Sequence, residues 1–217
     1  MKYGFLRVTA ASPALKVADP AFNAARIIEK IRAEAENGTE VLVFPELSLS
    51  GYTCGDLFLQ EPLLDGCMAA LRAVAEATEG KKMLVFVGLP VRCGGKLYNC
   101  AAGVSDGMVL GFVPKTHLPN YNEFYEARHF ARGSRETAFA SLWEGMSAPL
   151  TTDLLFEATP EIAVACEICE DVWAGDAPSA RHAQAGAAVV VNLSASDETV
   201  GKREYRKTIL AAQSGRN

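Results

Sequence analysis

Three reactive side chains, those of Glu46, Lys115 and Cys169, each stand just beyond the end of a short, β-rich apolar run. Side chains at the carboxyl ends of strands in α/β sheets leave the core on a rigid base and stay accessible to ligands. We therefore expect the three to converge. A thiol, a carboxylate and an ammonium group suffice for acyl transfer, because the thiolate attacks, the carboxylate accepts its proton and the cation stabilises the oxyanion. This constellation needs no histidine.

Each of the three residues also has a purely structural interpretation. Glu46 is compatible with a capping carboxylate or a solvated loop charge, and Lys115 with an ordinary surface lysine. Cys169 is compatible with a small buried hydrophobic residue. Position alone leaves these alternatives open.

Cys166 and Cys169 form a C-x-x-C pair, a spacing found in redox and zinc sites. A thioredoxin-type pair stands at the start of a helix, whereas Cys166 continues the alternation of a strand and is predicted to point into the sheet. A zinc site needs a second ligand pair, but Cys93 and Cys100 have the wrong spacing, and no two of the three histidines stand three to five residues apart. The sequence therefore favours neither metal binding nor redox chemistry.

An amphipathic helix is predicted upstream of Glu46. Asp19 and Pro20 have the residue types that cap a helix and open its first turn, and Gly38 ends the pattern. Apolar residues recur between them every three or four positions, which indicates one buried face. They are Phe22, Ala25, Ile28, Ile31 and Ala35.

Two buried strands and a hairpin follow this helix. The runs 41–44 and 83–89 are apolar and β-rich, as is typical of strands covered on both faces, and a helix over 63–77 connects them. Strands at 97–104 and 108–113 are joined by Ser-Asp-Gly, a sequence typical of hairpin turns.

The C-terminal part of the chain repeats the alternation of strands and helices. Buried strands are predicted at 162–166 and 187–192, with a helix within 179–184 between them and another over 202–213. Residues 1–8 are predicted to form a further strand. This order of elements predicts an α/β domain built on a mixed sheet or a pair of sheets.

Composition excludes several broad classes of protein. The chain has 217 residues, 49% of them apolar, so it can bury a substantial core and is not disordered in bulk. Its net charge of −5 forces no basic face for nucleic acid, and no apolar run approaches the roughly 20 residues of a membrane span. No secretory signal is recognisable, so the six cysteines are expected to be reduced and the protein cytoplasmic. No linker or repeat divides the chain, which predicts one domain over 1–217.

Three segments resemble motifs of the carbon–nitrogen hydrolase, or nitrilase, superfamily. The first is Phe-Pro-Glu-Leu at 44–47 with Ser-Gly-Tyr at 50–52, the second Pro-Lys-Thr-His-Leu-Pro at 114–119, and the third Glu-Ile-Cys-Glu-Asp-Val-Trp at 167–173. They occur in the family's order, each at a predicted strand end. The Cys-Glu-Asp-x-Trp form of the third is similar to that of the glutaminase domains of glutamine-dependent NAD synthetases.

The resemblance implies an αββα sandwich, four-layered when two copies pack face to face, with Glu46, Lys115 and Cys169 as its catalytic triad. Cys169 would attack the side-chain amide of glutamine, Glu46 would carry the proton to the departing ammonia, and Lys115 would hold the oxyanion. The backbone N–H of Glu170 is a second oxyanion donor in this interpretation. A glutamyl thioester would then be hydrolysed to glutamate.

The resemblance also implies a set of residues around the substrate. Those in the loop after Lys115 would cover the site and exclude water, and those near Cys169 would meet the amino-acid end of the substrate. Glu126 is expected to orient Lys115, with a solvent-facing helix charge as its alternative. The implied substrate-binding residues are Tyr121, Phe124, Glu170, Trp173 and Ser196.

Neither a cofactor nor a metal is expected within this chain. L-glutamine is the implied substrate and a homo-oligomer the implied assembly, whereas nucleic acid and membrane are not expected partners. ATP and Mg²⁺ would serve a partner synthetase domain that amidates deamido-NAD, because no Gly-rich ATP loop is recognisable here. Family domains are usually longer, so this one is expected to be truncated at its C-terminus. A stand-alone amidase or carbamoylase and a non-catalytic assembly module are the alternatives.

Overall fold

A computed structural model describes residues 4–216 of the chain. The strand predicted at 1–8 begins only at Val8, and residues 1–3 lie outside the described part. The strands are β1 (Val8–Ala10), β2 (Val41–Val43), β3 (Leu84–Cys93), β4 (Lys96–Ser105), β5 (Met108–Pro114), β6 (Ala138–Ser141), β7 (Ser147–Leu150), β8 (Leu155–Thr159), β9 (Ile162–Ile168) and β10 (Ala187–Leu193). The helices are α1 (Pro20–Glu36), α2 (Glu61–Glu76), α3 (Pro178–Gln184) and α4 (Lys202–Arg216).

The ends of α1 are set by local sequence, as predicted. The Asp19 carboxylate accepts the N–H of Phe22 at 3.1 Å, which satisfies one of the free donors of the first turn. Past the other end, Gly38 has a φ of +73°, a left-handed conformation that glycine adopts without steric cost.

The buried face of α1 agrees only in part with the predicted one. Ile31 is buried as predicted, but Ile27 is fully buried while its neighbour Ile28, on the predicted face, is only half-buried. Asn23 is also buried, and its amide donates to the backbone carbonyls of Lys16 and Leu49. These two hydrogen bonds satisfy a polar side chain on the buried face, which a pattern of apolar residues does not predict.

The larger sheet has seven strands in the order β1-β2-β3-β4-β5-β7-β6. β1, β2 and β3 run parallel, and β3, β4 and β5 form two successive antiparallel hairpins. Gly94 and Gly95 close the first hairpin and Asp106 and Gly107 the second, all with positive φ, as the tightest hairpin turns require. The second hairpin confirms the prediction. In the first hairpin, β3 continues to Cys93, well past its predicted end at residue 89.

The smaller sheet has the order β10-β9-β8. β9 and β10 run parallel with α3 between them in the chain, and β8 pairs antiparallel with β9. Strands β6, β7 and β8 are absent from the sequence predictions, because each is short and mixed in composition. They form by pairing with distant partners rather than by local pattern.

The two sheets pack face to face between layers of helices. α1 and α2 cover the larger sheet, and apolar side chains from both sheets meet in the middle. Phe86 and Phe156 exemplify the contact, with ring centroids 5.0 Å apart and edge to face. α3 packs on the smaller sheet, whereas α4 has no buried residue. The predicted αββα sandwich is confirmed. No helix among residues 4–216 combines the length and the apolarity needed to cross a bilayer.

Candidate active site

A tight loop after β2 holds Glu46. Leu47 has a φ of +49°, so the chain turns sharply just after the glutamate. The loop lies directly on β3 because Gly88 has no side chain, and a Cβ there would lie 2.2 Å from the Leu47 nitrogen. Ser48 strengthens this contact by accepting the Gly88 N–H at 3.1 Å. The Glu46 carboxylate is thereby held inside the protein, with the residue only 2% exposed.

Cys169 stands on a sharp turn between β9 and a 3₁₀ turn over Cys169–Val172. Its φ of +42° is a strained conformation for a residue with a Cβ, and such strain clusters at functional sites. The thiol accepts a hydrogen bond from the Ser194 hydroxyl at 3.4 Å, and Asn192 donates to the Cys169 carbonyl at 3.4 Å. The turn thus presents one nearly buried thiol at the carboxyl end of β9.

Lys115 connects two buried carboxylates. Its ammonium donates to Glu46 Oε1 at 2.6 Å and to Glu126 Oε1 at 2.7 Å, and the lysine side chain is fully buried. Asn99 adds a hydrogen bond to the same Glu46 oxygen at 2.7 Å. Burying charges is costly unless they are paired and hydrogen-bonded, and both conditions are met here. Lys115 is therefore held in one position.

The segment after β10 connects Glu46 with Cys169. The Ala195 N–H donates to Glu46 Oε2 at 3.0 Å, while its neighbour Ser194 donates to the Cys169 thiol. The charges of Glu46 and Lys115 both act on the pKa of Cys169. The structure thus brings the three predicted residues together at the strand ends of the sandwich.

Burial governs the protonation of this site. It raises the pKa of the Cys169 thiol to about 12, with the Glu46 carboxylate adding to the rise and Lys115 opposing it. Burial alone would lower the pKa of Lys115, but Glu46 and Glu126 outweigh it and raise that pKa above its usual value. At neutral pH the thiol is therefore protonated and the lysine charged, so the thiol needs a base before it can attack.

Glu126 is buried against Lys115. It begins a 3₁₀ turn over Glu126–Arg128, and the Tyr52 hydroxyl donates to its Oε1 at 2.7 Å. Burial raises the pKa of Glu126, and the Lys115 charge opposes that rise. No hydrogen-bond partner for Glu126 Oε2 is found within residues 4–216. The solvent-facing alternative for Glu126 is wrong, because the residue is 5% exposed.

Tyr121 and Glu170 form a polar pair on the more exposed side of the site. The Tyr121 hydroxyl donates to the nearer Glu170 oxygen at 2.9 Å, although the residue is 51% exposed. Phe124 packs edge-on against both Tyr121 and Tyr52, at centroid distances of 5.8 and 6.4 Å. Burial and the Glu170 contact raise the pKa of Tyr121 to about 12, so its hydroxyl remains a donor at neutral pH. Three predicted substrate contacts therefore adjoin one another.

Trp173 lies beside the first turn of α4. The Lys202 ammonium is 5.6 Å from the centre of its ring, and Lys202 also pairs with Asp197. Ser196 donates its backbone N–H to the Ser194 hydroxyl at 3.3 Å. The two remaining predicted contacts are thus placed differently: Trp173 beside a charged pair, and Ser196 next to the hydroxyl that bonds the thiol.

Several residues that contact the predicted site residues were not themselves predicted. Tyr52 and Asp171 stand inside the motif segments, so the motifs could have indicated them. Lys202 begins α4, and the others stand on or just after strands whose register and pairing only the folded structure gives. These others are Asn99, Asn192, Ser194 and Ala195.

The two cysteines of the C-x-x-C pair have different surroundings. Cys166 is fully buried in the apolar layer between the sheets, and burial raises its pKa well above the usual value. Cys169 instead has polar partners at the strand end. All six cysteines are free thiols. Across residues 4–216, no group of three or more His, Cys, Asp or Glu side chains is arranged to hold a metal ion.

Known proteins are similar to this chain in sequence and in fold. The chain is 40% identical over 217 residues to a glutamine-dependent NAD(+) synthetase from Mycobacterium tuberculosis, covering 99% of this chain and 32% of that protein. The solved structure of a glutamine-dependent NAD(+) synthetase from Cytophaga hutchinsonii is 30% identical and matches with a TM-score of 0.84, over 96% of this chain and 33% of that one. An amidase from Nesterenkonia sp. shares the fold, with a TM-score of 0.71 at 20% identity, over 96% of this chain and 71% of the amidase.

The extent of these matches is uneven. The chain spans about a third of the length of the NAD(+) synthetases that it resembles. The family model for carbon-nitrogen hydrolases matches residues 7–217, a range that contains all three motif segments. The chain belongs to the carbon-nitrogen hydrolase family.

Proposed function

We propose that this chain hydrolyses the side-chain amide of L-glutamine through a cysteine thioester. The observation that carries the proposal is the buried contact of Lys115 with Glu46, beside the strained turn that presents Cys169. Similarity to glutamine-dependent NAD(+) synthetases supports glutamine as the amide that is cleaved.

In the first step Glu46 removes the Cys169 proton as the sulfur attacks the amide carbon. A base is required, because burial raises the pKa of the thiol to about 12. The carbonyl π electrons move to the oxygen, which becomes an oxyanion. Lys115 Nζ and the backbone N–H of Glu170 stabilise that oxyanion, and Glu126 orients Lys115.

In the second step the tetrahedral intermediate collapses and its C–N bond breaks. Glu46 gives its proton to the nitrogen, which leaves as ammonia, and a glutamyl thioester remains on Cys169. Water then attacks the thioester carbon as Glu46 takes a proton from it. The C–S bond breaks, the proton returns to the sulfur and glutamate leaves.

Five residues are proposed to bind the rest of the substrate. The Glu170 carboxylate suits the α-ammonium group, with Tyr121 holding it in place. Phe124 and Trp173 supply apolar and aromatic walls, and Ser196 supplies polar contacts for the amino-acid end. No cofactor takes part in this reaction as proposed.

The released ammonia is proposed to serve a synthetase region that uses ATP and Mg²⁺ to amidate deamido-NAD to NAD. The similarity of this chain to about a third of the length of known NAD(+) synthetases supports that assignment. A homo-oligomer with sandwiches packed face to face, and a cytoplasmic location, complete the proposal.

Ammonia release from a panel of amides tests the function. We expect glutamine to be hydrolysed in preference to asparagine, acetamide and an N-carbamoyl amino acid, with an acyl-enzyme visible by intact mass and absent in Cys169→Ala. Preference for acetamide or for the carbamoyl compound would favour a stand-alone amidase or carbamoylase. Neither turnover nor acyl-enzyme with any amide, in a folded oligomer, would favour an assembly module.

A further inference from the structure

Asp171 is a buried carboxylate inside the Cys-Glu-Asp-x-Trp segment to which the proposed reaction gives no role. It is 1% exposed. One oxygen, Oδ1, accepts the backbone N–H of His117 at 2.7 Å and that of Thr116 at 3.1 Å. The other, Oδ2, accepts the backbone N–H of Ile168 at 3.0 Å. Both oxygens are thus occupied by main-chain donors.

Two of these backbone donors belong to residues that adjoin site residues in the sequence. Thr116 directly follows Lys115, and Ile168 directly precedes Cys169. Lys115 comes from the end of β5 in the larger sheet, whereas Cys169 comes from the end of β9 in the smaller sheet. One carboxylate therefore joins the strand ends of the two sheets at the position where the reactive groups meet.

The middle of the sandwich, where the faces of the two sheets meet, is an apolar cluster. Hydrophobic contact is non-directional, so it holds the sheets together without fixing the relative position of two strand ends to a fraction of an ångström. Charge-assisted hydrogen bonds from backbone N–H groups are directional and short. With the bond from Ala195 to Glu46, the bonds that Asp171 accepts from Thr116 and His117 are polar connections between the two sheets at this end.

We propose that Asp171 is a positioning residue that sets the distance between Lys115 and the Cys169 thiol. It touches no reacting atom and acts through the backbone on either side of it. The expected effect on glutamine turnover rests on the proposed function. The expected effect on the reactivity of the Cys169 thiol is independent of it.

The test compares Asp171→Asn with Glu167→Gln. Both changes replace a buried carboxylate by an amide near Cys169, but Glu167 accepts from Ser179 on α3 and Asn192 on β10 rather than from the Lys115 segment. In Asp171→Asn one acceptor becomes an NH₂ group that faces a backbone N–H. The probe is iodoacetamide, with alkylation at Cys169 followed by peptide mapping well below each melting temperature.

We expect Asp171→Asn to slow Cys169 alkylation by about 10- to 100-fold, the size of effect that a displacement of about 1 Å produces. Glu167→Gln should stay within about 2-fold of the parent chain. With glutamine, kcat should fall by a similar factor while KM stays within about 3-fold, because the substrate contacts remain. A folded Asp171→Asn that is alkylated at the parent rate, or an equal loss in Glu167→Gln, would overturn the proposal.

A second variant keeps the test decisive if Asp171→Asn does not fold. Thr116→Pro retains the carboxylate and removes one donor on the lysine side only, so alkylation should slow by about 3- to 10-fold; an unchanged rate would contradict the proposal. Should the parent chain fail to hydrolyse glutamine while the alkylation differences hold, the proposed function fails and the positioning role stands. If glutamine is hydrolysed and the alkylation rates are equal, the positioning role of Asp171 fails and the proposed function stands.

Discussion

The floor and the mouth of the site are built with similar hydrogen bonds in very different surroundings. The floor is Glu46, Asn99, Lys115 and Glu126, and the mouth is Tyr121, Glu170, Trp173 and Lys202. Every floor residue is at most 5% exposed, whereas Tyr121 in the mouth is 51% exposed. The Lys115–Glu46 bond of 2.6 Å and the Tyr121–Glu170 bond of 2.9 Å differ little in length.

The difference shows that burial, rather than bond length, separates the two regions. Charges attract more strongly where water is excluded, and a buried charge that loses its partner destabilises the fold by several kcal/mol. An exposed pair contributes about 1 kcal/mol or less. Changes in the floor should therefore affect rate and stability together, and changes in the mouth mainly substrate binding.

The largest effect is expected for Cys169→Ala. Without the sulfur no thioester forms, and amide hydrolysis should fall by about 10⁴-fold or more, while the free energy of unfolding changes by about 1 kcal/mol or less. Ammonia release and a thermal melt measure the two quantities.

Cys166→Ser is the matched control for that variant. It places a hydroxyl in the apolar layer between the sheets, which should destabilise the fold by about 1–3 kcal/mol and change the rate by less than about 3-fold. Equal losses of activity in the two variants, both folded, would point instead to a redox pair of cysteines.

Lys115→Met should affect both properties of the floor. Loss of an oxyanion donor should lower kcat by roughly 10²- to 10³-fold. Loss of the only cation that the described structure places between Glu46 and Glu126 should also destabilise the fold by about 3–5 kcal/mol. Steady-state kinetics and urea denaturation measure the two effects. A variant with the parent kcat would make Lys115 a structural lysine.

Glu167→Gln should change how stability depends on pH. Burial raises the pKa of Glu167 to about 7, so between its unfolded value of 4.5 and about 7 the folded state keeps a proton that the unfolded state releases. Stability contributed by this group is therefore present at low pH and is lost as pH rises through that window.

The glutamine variant cannot titrate, so relative to the parent chain it should gain on the order of 3 kcal/mol between pH 4 and pH 8. Urea midpoints across this range make the measurement. Parallel stability curves for the two proteins would show that Glu167 ionises normally.

The smallest effect is expected in the mouth, for Tyr121→Phe. The ring stays but the donor to Glu170 is lost, so KM for glutamine should rise by about 2- to 5-fold with kcat nearly unchanged, and stability should move by less than about 0.5 kcal/mol. A large fall in kcat with an unchanged KM would show that Tyr121 acts on the reaction rate as the floor residues do, which would contradict the distinction between floor and mouth.

The sequence was most informative where structure is determined locally. The caps of α1, the second hairpin and the runs that became β2, β5 and β9 follow from short-range patterns, and a reactive residue stands at the end of each of those three strands. Motif resemblance then associated those residues with one chemistry. The sandwich and the convergence of Glu46, Lys115 and Cys169 could therefore be predicted.

Other features depend on long-range contacts and could not be predicted from pattern. The Tyr52–Glu126 bond joins residues 74 positions apart, and Asn99 reaches Glu46 through the register of β4 against β3. The short strands β6 to β8 have no period of their own and form only beside partners. The burial of Asn23 on α1 likewise includes a hydrogen bond to the Leu49 carbonyl, 26 positions away.

Exposure to a diazoketone analogue of glutamine, followed by intact mass and peptide mapping, tests the central claim most directly, because it traps an activated thiol even when turnover is slow. We predict a single adduct on Cys169 that excess glutamine suppresses. An adduct on another cysteine, or a folded sample that forms none, would contradict the assignment of Cys169 as the nucleophile of a glutamine-hydrolysing site.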